Sequence, residues 1–112
     1  MAAMAIPLPD EHVEAWKEFA KQLGGPRATE FADFNARMGL KRHQAYLQQT
    51  PQGHLVVVVH EGPGGDDFLK RVAESDHPFD SWFRQQISEL HGVDYSQPAP
   101  PAPQLWIDGT AS

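Results

Sequence analysis

The sequence predicts an α+β fold in which a four-stranded antiparallel sheet is covered by helices on one face. Three observations lead to this class. A β-hairpin spans residues 43–61, an apolar strand begins the chain, and amphipathic helical segments stand on both sides of the hairpin. The length of 112 residues suits a single domain over residues 1–112 with a modest core.

The hairpin is the most strongly predicted element. Residues 56–59 are four consecutive valines, and β-branched side chains, which are stiff at χ1, fit a pleated strand better than a helix. Residues 50–53 supply a turn with proline at its second and glycine at its fourth position, as type I turns favour. The valine strand is apolar on both faces, so both must be covered. One layer of helices covers only one face, and a partner subunit is expected to cover the other.

The turn also predicts how the two strands of the hairpin are paired. With Gln49 opposite His54, His43 lies opposite His60, and all three histidines share one face of the sheet. This face is expected to meet the partner subunit. A β-bulge would shift the pairing by one residue and bring Tyr46 onto that face instead.

The first crossover connection is predicted to contain two helices. Residues 4–8 form the first strand, and Asp10 is a candidate N-cap of the helix that follows. Apolar residues recur at helical spacing until Gly24. Pro26 suits the first turn of a second helix, which Gly39 ends.

The second crossover connection repeats this plan. Residues 68–73 form a short amphipathic helix, and a longer helix begins at Pro78 and ends at Gly92. The proline-rich residues 97–103 are an extended connection to a last short strand, residues 105–107. The order strand, helices, strand, strand, helices, strand is the doubled βαβ arrangement of ferredoxin-like folds.

Composition narrows the classes of function. The formal net charge is −6 and the basic residues are scattered, so nucleic acid is not an expected partner. No apolar run approaches the roughly 18 residues of a membrane span. The N-terminus lacks the features of a signal peptide, which predicts a cytoplasmic protein. The absence of cysteine excludes disulfides and thiolate metal sites, and neither a metal nor a cofactor is predicted.

Four segments carry a resemblance to a known superfamily: residues 15–19 (AWKEF), 47–53 (LQQTPQG), 76–84 (DHPFDSWFR) and 91–94 (HGVD). With the element order, they resemble the dimeric α/β-barrel superfamily. Its members include enzymes of the antibiotic-biosynthesis-monooxygenase type, the ethyl-tert-butyl-ether-degradation type and small haem-degrading enzymes. The amino-acid sequence of these segments is more similar to a small bacterial branch of the superfamily that has no assigned function.

The resemblance implies a homodimer in which two ferredoxin-like sheets pack face to face as an α/β barrel. No catalytic residue of these enzymes can be assigned to a position in this chain. The first strand has no asparagine to match the haem-degrading pattern, and the Asn, Trp, Tyr and Arg set of the quinone-forming monooxygenases has no counterpart here.

Three residues are candidates for proton transfer. His43 and His60 face each other in the predicted register, and imidazole titrates in the useful range; Tyr46 is the third candidate. Metal binding would need a further ligand such as His54 or Glu61, but His54 lies about 20 Å along the strand from His60. Inert, hydrogen-bonded histidines at a strand end are the commoner arrangement.

Four residues are candidates for ligand binding. Trp16, Trp82 and Phe83 could line a pocket for a flat aromatic ligand, although aromatic residues at helical spacing are more often core. Arg84 could anchor a carboxylate or phenolate. The simpler interpretation is an exposed i,i+4 ion pair between Asp80 and Arg84. His12 and His91 lie near helix ends and receive no role.

Three hypotheses of function follow. The first is a cofactor-independent monooxygenase, isomerase or cyclase that acts on an aromatic small molecule. The second is a dimer that binds such a ligand without chemistry. The third is a structural protein whose proline-rich residues 97–103 clasp a neighbouring subunit. The sequence contains no P-loop, nucleophile elbow, Rossmann fingerprint or H-E-x-x-H motif.

Overall fold

A computed structural model describes residues 2–98 and 101–111 of the chain. The helices and strands, in chain order, are β1 (Ala2–Leu8), α1 (Val13–Leu23), α2 (Ala28–Arg37), β2 (Arg42–Thr50), β3 (Gly53–Glu61), α3 (Phe68–Glu74) and α4 (Pro78–His91), with one 3-10 turn, Asp10–His12, before α1. The α+β class is confirmed, and two helices follow β1 and two follow β3, as predicted. Residues 99 and 100 of the proline-rich connection lie outside the described ranges.

The sheet is antiparallel with the strand order β1-β3-β2. It has three strands in the described part of the chain, because residues 105–107 adopt no regular structure. The side chains of Leu105, Trp106 and Ile107 are 79%, 86% and 89% exposed. The expected fourth strand is therefore not present in the single chain. An apolar triplet becomes a strand only where another strand offers hydrogen-bonding partners, and here none lies beside it.

The hairpin has the predicted register without a bulge. His43 lies opposite His60, and a two-residue turn joins Thr50 to Gly53. The Thr50 hydroxyl donates to the carbonyl of Gly53 across 2.7 Å, which closes the turn.

The helices cover the face of the sheet that carries the two histidines. Val56, Val58 and His60 alternate along β3 and are only 2%, 7% and 1% exposed. The prediction that this face meets a partner subunit is wrong. Both faces of β3 are apolar, so alternation alone could not tell which one the helices cover. The opposite face carries half-buried Val57 beside Tyr46, which is 54% exposed, and no helix of the described chain covers it.

An aromatic cluster joins the helices to one another. Phe34 on α2 is fully buried, and its ring centroid lies 4.7 Å from that of Phe83, 5.4 Å from Phe79 and 5.9 Å from Phe68. Burial of each such ring contributes roughly 1.5–3 kcal/mol. Phe34 thus packs α2 against both α3 and α4.

The ends of α4 follow the predicted signals, but the start of α1 does not. Pro78 occupies the first turn of α4, and Gly92 ends the helix in the left-handed conformation with φ of 74°. Asp10 was expected to be an N-cap, yet it begins the 3-10 turn and makes no capping bond. Its carboxylate instead lies 2.7 Å from Nδ1 of His54, so a contact distant in sequence replaces the local one.

Candidate functional site

A cavity of about 360 Å³ lies between the sheet and helices α1, α2 and α4. Its wall is mostly apolar, and no charged carboxylate, lysine or arginine is among the described residues that line it. Its largest side chains and its two histidines are Trp16, Phe19, Phe31, His43, Phe83 and His91. Ala20 on α1 and Ala45 on β2 leave the space that larger side chains would fill.

Two of the three aromatic residues predicted to bind a ligand line this cavity, and the third does not. Trp16 and Phe83 line it. Trp82 lies behind the wall, with its ring 5.7 Å from Phe19, and the guanidinium of Arg27 stands 3.9 Å from the centre of the indole. Trp82 therefore supports the wall of the cavity through Phe19.

Arg84 lies outside the cavity, and both of its terminal nitrogens make hydrogen bonds within the chain. One guanidinium nitrogen donates to the carbonyls of Val72 and Ser75, and another donates to the hydroxyl of Ser81. These carbonyls belong to the C-terminal end of α3, where backbone acceptors lack partners within the helix. Arg84 therefore joins the C-terminal end of α3 to α4.

Asp80 binds a different arginine from the one expected. The i,i+4 pair with Arg84 does not form, because Arg37 donates to both oxygens of Asp80 across 2.6 and 2.9 Å. The hydroxyl of Ser75 donates to the same carboxylate. Burial alone would raise the pKa of Asp80, but these hydrogen bonds outweigh it and the pKa is lowered. The carboxylate is fully buried and ionised.

His43 and His60 form a hydrogen-bonded chain that ends on Asn35. Nδ1 of His43 lies 3.1 Å from Oδ1 of Asn35, and the two Nε2 atoms of the histidines are 3.3 Å apart. The asparagine oxygen only accepts, so His43 donates through Nδ1 and accepts at Nε2 from His60. Nδ1 of His60 is then an acceptor, and it is buried without a partner among the described residues.

Both histidines of this pair are held neutral. Burial and the adjacent His60 lower the pKa of His43 to about 3. Burial lowers the pKa of His60 to about 4. The ring of Phe68 covers His60, with centroids 4.1 Å apart. A charged imidazolium is strongly disfavoured in this position, so the pair is weakly basic at neutral pH.

Tyr46 is not brought to the histidine pair. It lies opposite Val57 on the uncovered face of the sheet, while His43 and His60 lie on the helix-covered face. The backbone of the sheet separates the phenol from both imidazoles. Of the three candidates for proton transfer, the structure assembles two, and only His43 lines the cavity.

His91 lines the same cavity and received no role from the sequence. Its Nδ1 atom lies 2.9 Å from the carbonyl oxygen of Pro7 on β1. A usable signal was present, because Phe83, Ile87 and His91 are spaced by four residues. They therefore lie on one face of α4. The glycine that follows suggested only a helix end.

A second, wider groove of about 550 Å³ runs between α3 and residues 93–98. It contains no histidine among its described lining residues. Burial raises the pKa of its Tyr95 to about 12, so this phenol stays protonated. The groove is larger than the cavity between sheet and helices, but none of the residues predicted to act in catalysis or ligand binding lines it.

In the described ranges, no three His, Cys, Asp or Glu side chains are grouped in a way that could hold a metal ion. The helices in those ranges are too short and too polar to cross a membrane. Comparisons of the chain with protein-family models, with curated proteins and with solved structures found no match. The geometry of the cavity is therefore the basis for assigning a function.

Proposed function

We propose that the protein binds a small, flat and mostly apolar molecule, of one or two aromatic rings, in the cavity between sheet and helices. The cavity itself carries this proposal. Its volume of about 360 Å³ falls at the lower end of the range usual for ligand sites, about 300–1,000 Å³. Aromatic rings from three helices line it, and no charged side chain is among the described lining residues to favour an ionic ligand.

Binding without proton abstraction by the histidine pair fits the electrostatics best. An efficient general base has a pKa near the working pH. With its pKa lowered to about 3, His43 is more than three units below that optimum. Both of its ring nitrogens are also engaged, with Asn35 and with His60. His43 therefore offers a ligand mainly the surface of its ring.

One observation favours a second candidate, a cofactor-independent enzyme acting on an aromatic compound. An unpartnered buried acceptor such as Nδ1 of His60 costs roughly 1–3 kcal/mol. Because the Nε2–H of His60 points towards His43, a substrate would have to give its proton directly to Nδ1 of His60, which gives this unpartnered acceptor the role of the base. His60→Leu would abolish turnover of a substrate that the wild type converts, with its binding constant unchanged. Equal turnover by the two proteins would eliminate this mechanism.

The binding proposal is tested by blocking the cavity. Ala20 on α1 lines it, whereas Ala15 on the same helix is exposed. Ala20→Leu should weaken binding of 1-naphthol at least tenfold in an NMR titration, because the added carbons occupy the ligand's space. Ala15→Leu adds the same carbons outside the cavity and should bind as the wild type does. Equal binding by all three proteins would place the ligand elsewhere.

We also propose that the chain forms a homodimer through the uncovered face of the sheet. Val57 lies at the centre of this face, opposite Tyr46 on β2 and Ala5 on β1. A sheet apolar on both faces requires a second cover, and the resemblance to dimeric α/β barrels favours another copy of the chain. Val57→Lys should give a monomer in sedimentation velocity, whereas Ala15→Lys on the outside of α1 should remain dimeric.

The four-stranded sheet belongs to the same proposal. The order β1-β3-β2 leaves the outer edge of β1 without a neighbouring strand in the described chain. In a ferredoxin-like arrangement the last strand lies at this edge. We propose that residues 105–107 pair there when the dimer forms, which would complete the barrel.

A further inference from the structure

The cavity contains two imidazoles, but only one of them has a nitrogen available to a ligand. His43 donates to Asn35 through Nδ1 and accepts from His60 at Nε2, so neither nitrogen is free. His91 makes a single hydrogen bond among the described residues, from Nδ1 to the carbonyl of Pro7. Its Nε2 atom therefore has no protein partner in the described chain, and His91 is one of the residues that line the cavity.

The contact with Pro7 determines which nitrogen of His91 carries the proton. A carbonyl oxygen can only accept a hydrogen bond, so Nδ1 must be the donor. In the neutral ring Nε2 then carries a lone pair and accepts. Burial lowers the pKa of His91, which favours this neutral form at pH 7.

We infer that His91 binds the hydroxyl group of the ligand, accepting its hydrogen bond at Nε2. This inference rests on the proposed function, and it narrows the ligand to a neutral aromatic compound with one hydroxyl donor, a phenol or naphthol. The rings of Trp16, Phe31 and Phe83 would hold the aromatic part. His91 then does what the sequence suggested for Arg84, with a hydroxyl in place of an anion.

The charge of the cavity wall supports a neutral hydroxyl. A phenolate or carboxylate would find no cation among the described residues that line the cavity. A hydrocarbon with no donor would leave Nε2 without a partner once it displaced water from the cavity. A neutral ligand with one donor avoids both penalties.

The test compares two probes of nearly equal size. 1-Naphthol donates a hydrogen bond, whereas 1-fluoronaphthalene cannot. The wild type should bind 1-naphthol about fivefold more tightly, as expected for one net hydrogen bond. In His91→Asn, the amide nitrogen replaces Nδ1 and can still donate to Pro7, but no atom replaces Nε2. This variant should lose the fivefold preference and bind 1-fluoronaphthalene as before.

A matched control lies close by. His12 donates through Nδ1 to the carbonyl of Leu90 across 2.8 Å but does not line the cavity. His12→Asn should keep the preference for 1-naphthol. The nitrogen-15 spectrum of the free wild type should also show a protonated Nδ1 and an unprotonated Nε2 for His91. This second measurement reports the tautomer without any ligand.

The outcomes separate the inference from the function on which it rests. Equal binding of the two probes by the wild type, or a preference retained in His91→Asn, would overturn the role of His91 and leave the cavity as a ligand site. A proton found on Nε2 would do the same. If the wild type bound neither probe, the proposed function would fail together with the inference.

Discussion

Two buried histidines make the folding stability of this protein sensitive to acid. His43 and His60 are buried as neutral rings, with their pKa values lowered to about 3 and about 4. In the unfolded chain both return to an ordinary pKa of about 6.5. Between these values the unfolded state binds more protons than the folded state, so stability is complete above about pH 6.5 and is lost as the pH falls.

The expected loss is large enough to measure. Between pH 7 and pH 5 each histidine should lower the free energy of unfolding by roughly 2 kcal/mol. Urea unfolding at several pH values would show this slope in the wild type. The double variant His43→Gln, His60→Gln lacks both titrating rings and should have a shallower slope over the same range. Parallel slopes for the two proteins would mean that other groups cause the acid sensitivity.

At the scale of the elements, helices α2 and α4 are joined by aromatic rings and by an ion pair whose carboxylate is buried. Asp80 near the start of α4 is fully buried, and its carboxylate receives both donors of Arg37 and the hydroxyl of Ser75. Removing one partner of a buried pair leaves the other charge or donor unsatisfied. The pair therefore holds the two helices in one relative position.

Asp80→Ala should lower the free energy of unfolding by about 3 kcal/mol in urea titrations, since Arg37 would lose its main partner. Asp33 provides the matched control. Its exposed carboxylate accepts from the same arginine across 2.8 Å, but a solvated pair of this kind contributes less than about 1 kcal/mol. Asp33→Ala should be nearly neutral. Similar losses in the two variants would show that burial does not strengthen the Asp80 contact.

The elements that local chemistry determines could be predicted from the sequence. The two-residue turn at Pro51 determines the hairpin register, which is why His43 and His60 were expected to meet. Pro78 and Gly92 mark the ends of α4 for equally local reasons, restricted φ and a left-handed glycine. Each of these signals acts within a few residues of the chain.

Features determined by distant contacts could not be predicted. The local i,i+4 rule assigned Asp80 to Arg84, but Arg37 reaches it from another helix. The helix-covered face of β3 could not be identified, because Val57 and Val58 are equally apolar. The hydrogen bond of His91 could not be predicted either, since its partner Pro7 is 84 residues away in the chain, although the four-residue spacing from Phe83 and Ile87 was a local signal for the position of His91. The cavity is built from contacts of this second kind.

At the scale of the whole molecule, the uncovered sheet face and the C-terminal segment both expose apolar side chains to solvent. Leu105, Trp106 and Ile107 are each at least 79% exposed, although burying three such side chains would contribute roughly 5 kcal/mol. The outer edge of β1 has backbone groups that no described strand pairs with. An apolar segment and a free sheet edge in one chain are complementary surfaces. A second copy of the chain can bring them together without rearranging the core.

Deleting residues 97–112 should therefore convert a dimer into a monomer. The deletion removes the segment that would pair with β1 while leaving every described helix and strand in place. Sedimentation velocity over a range of concentrations measures the change. Trp106→Ser in the full-length chain should weaken the dimer in the same direction, whereas deleting residues 109–112 should not. If the shortened chain associated as tightly as the full chain, the sheet face alone would hold the dimer, and residues 105–107 would need another role.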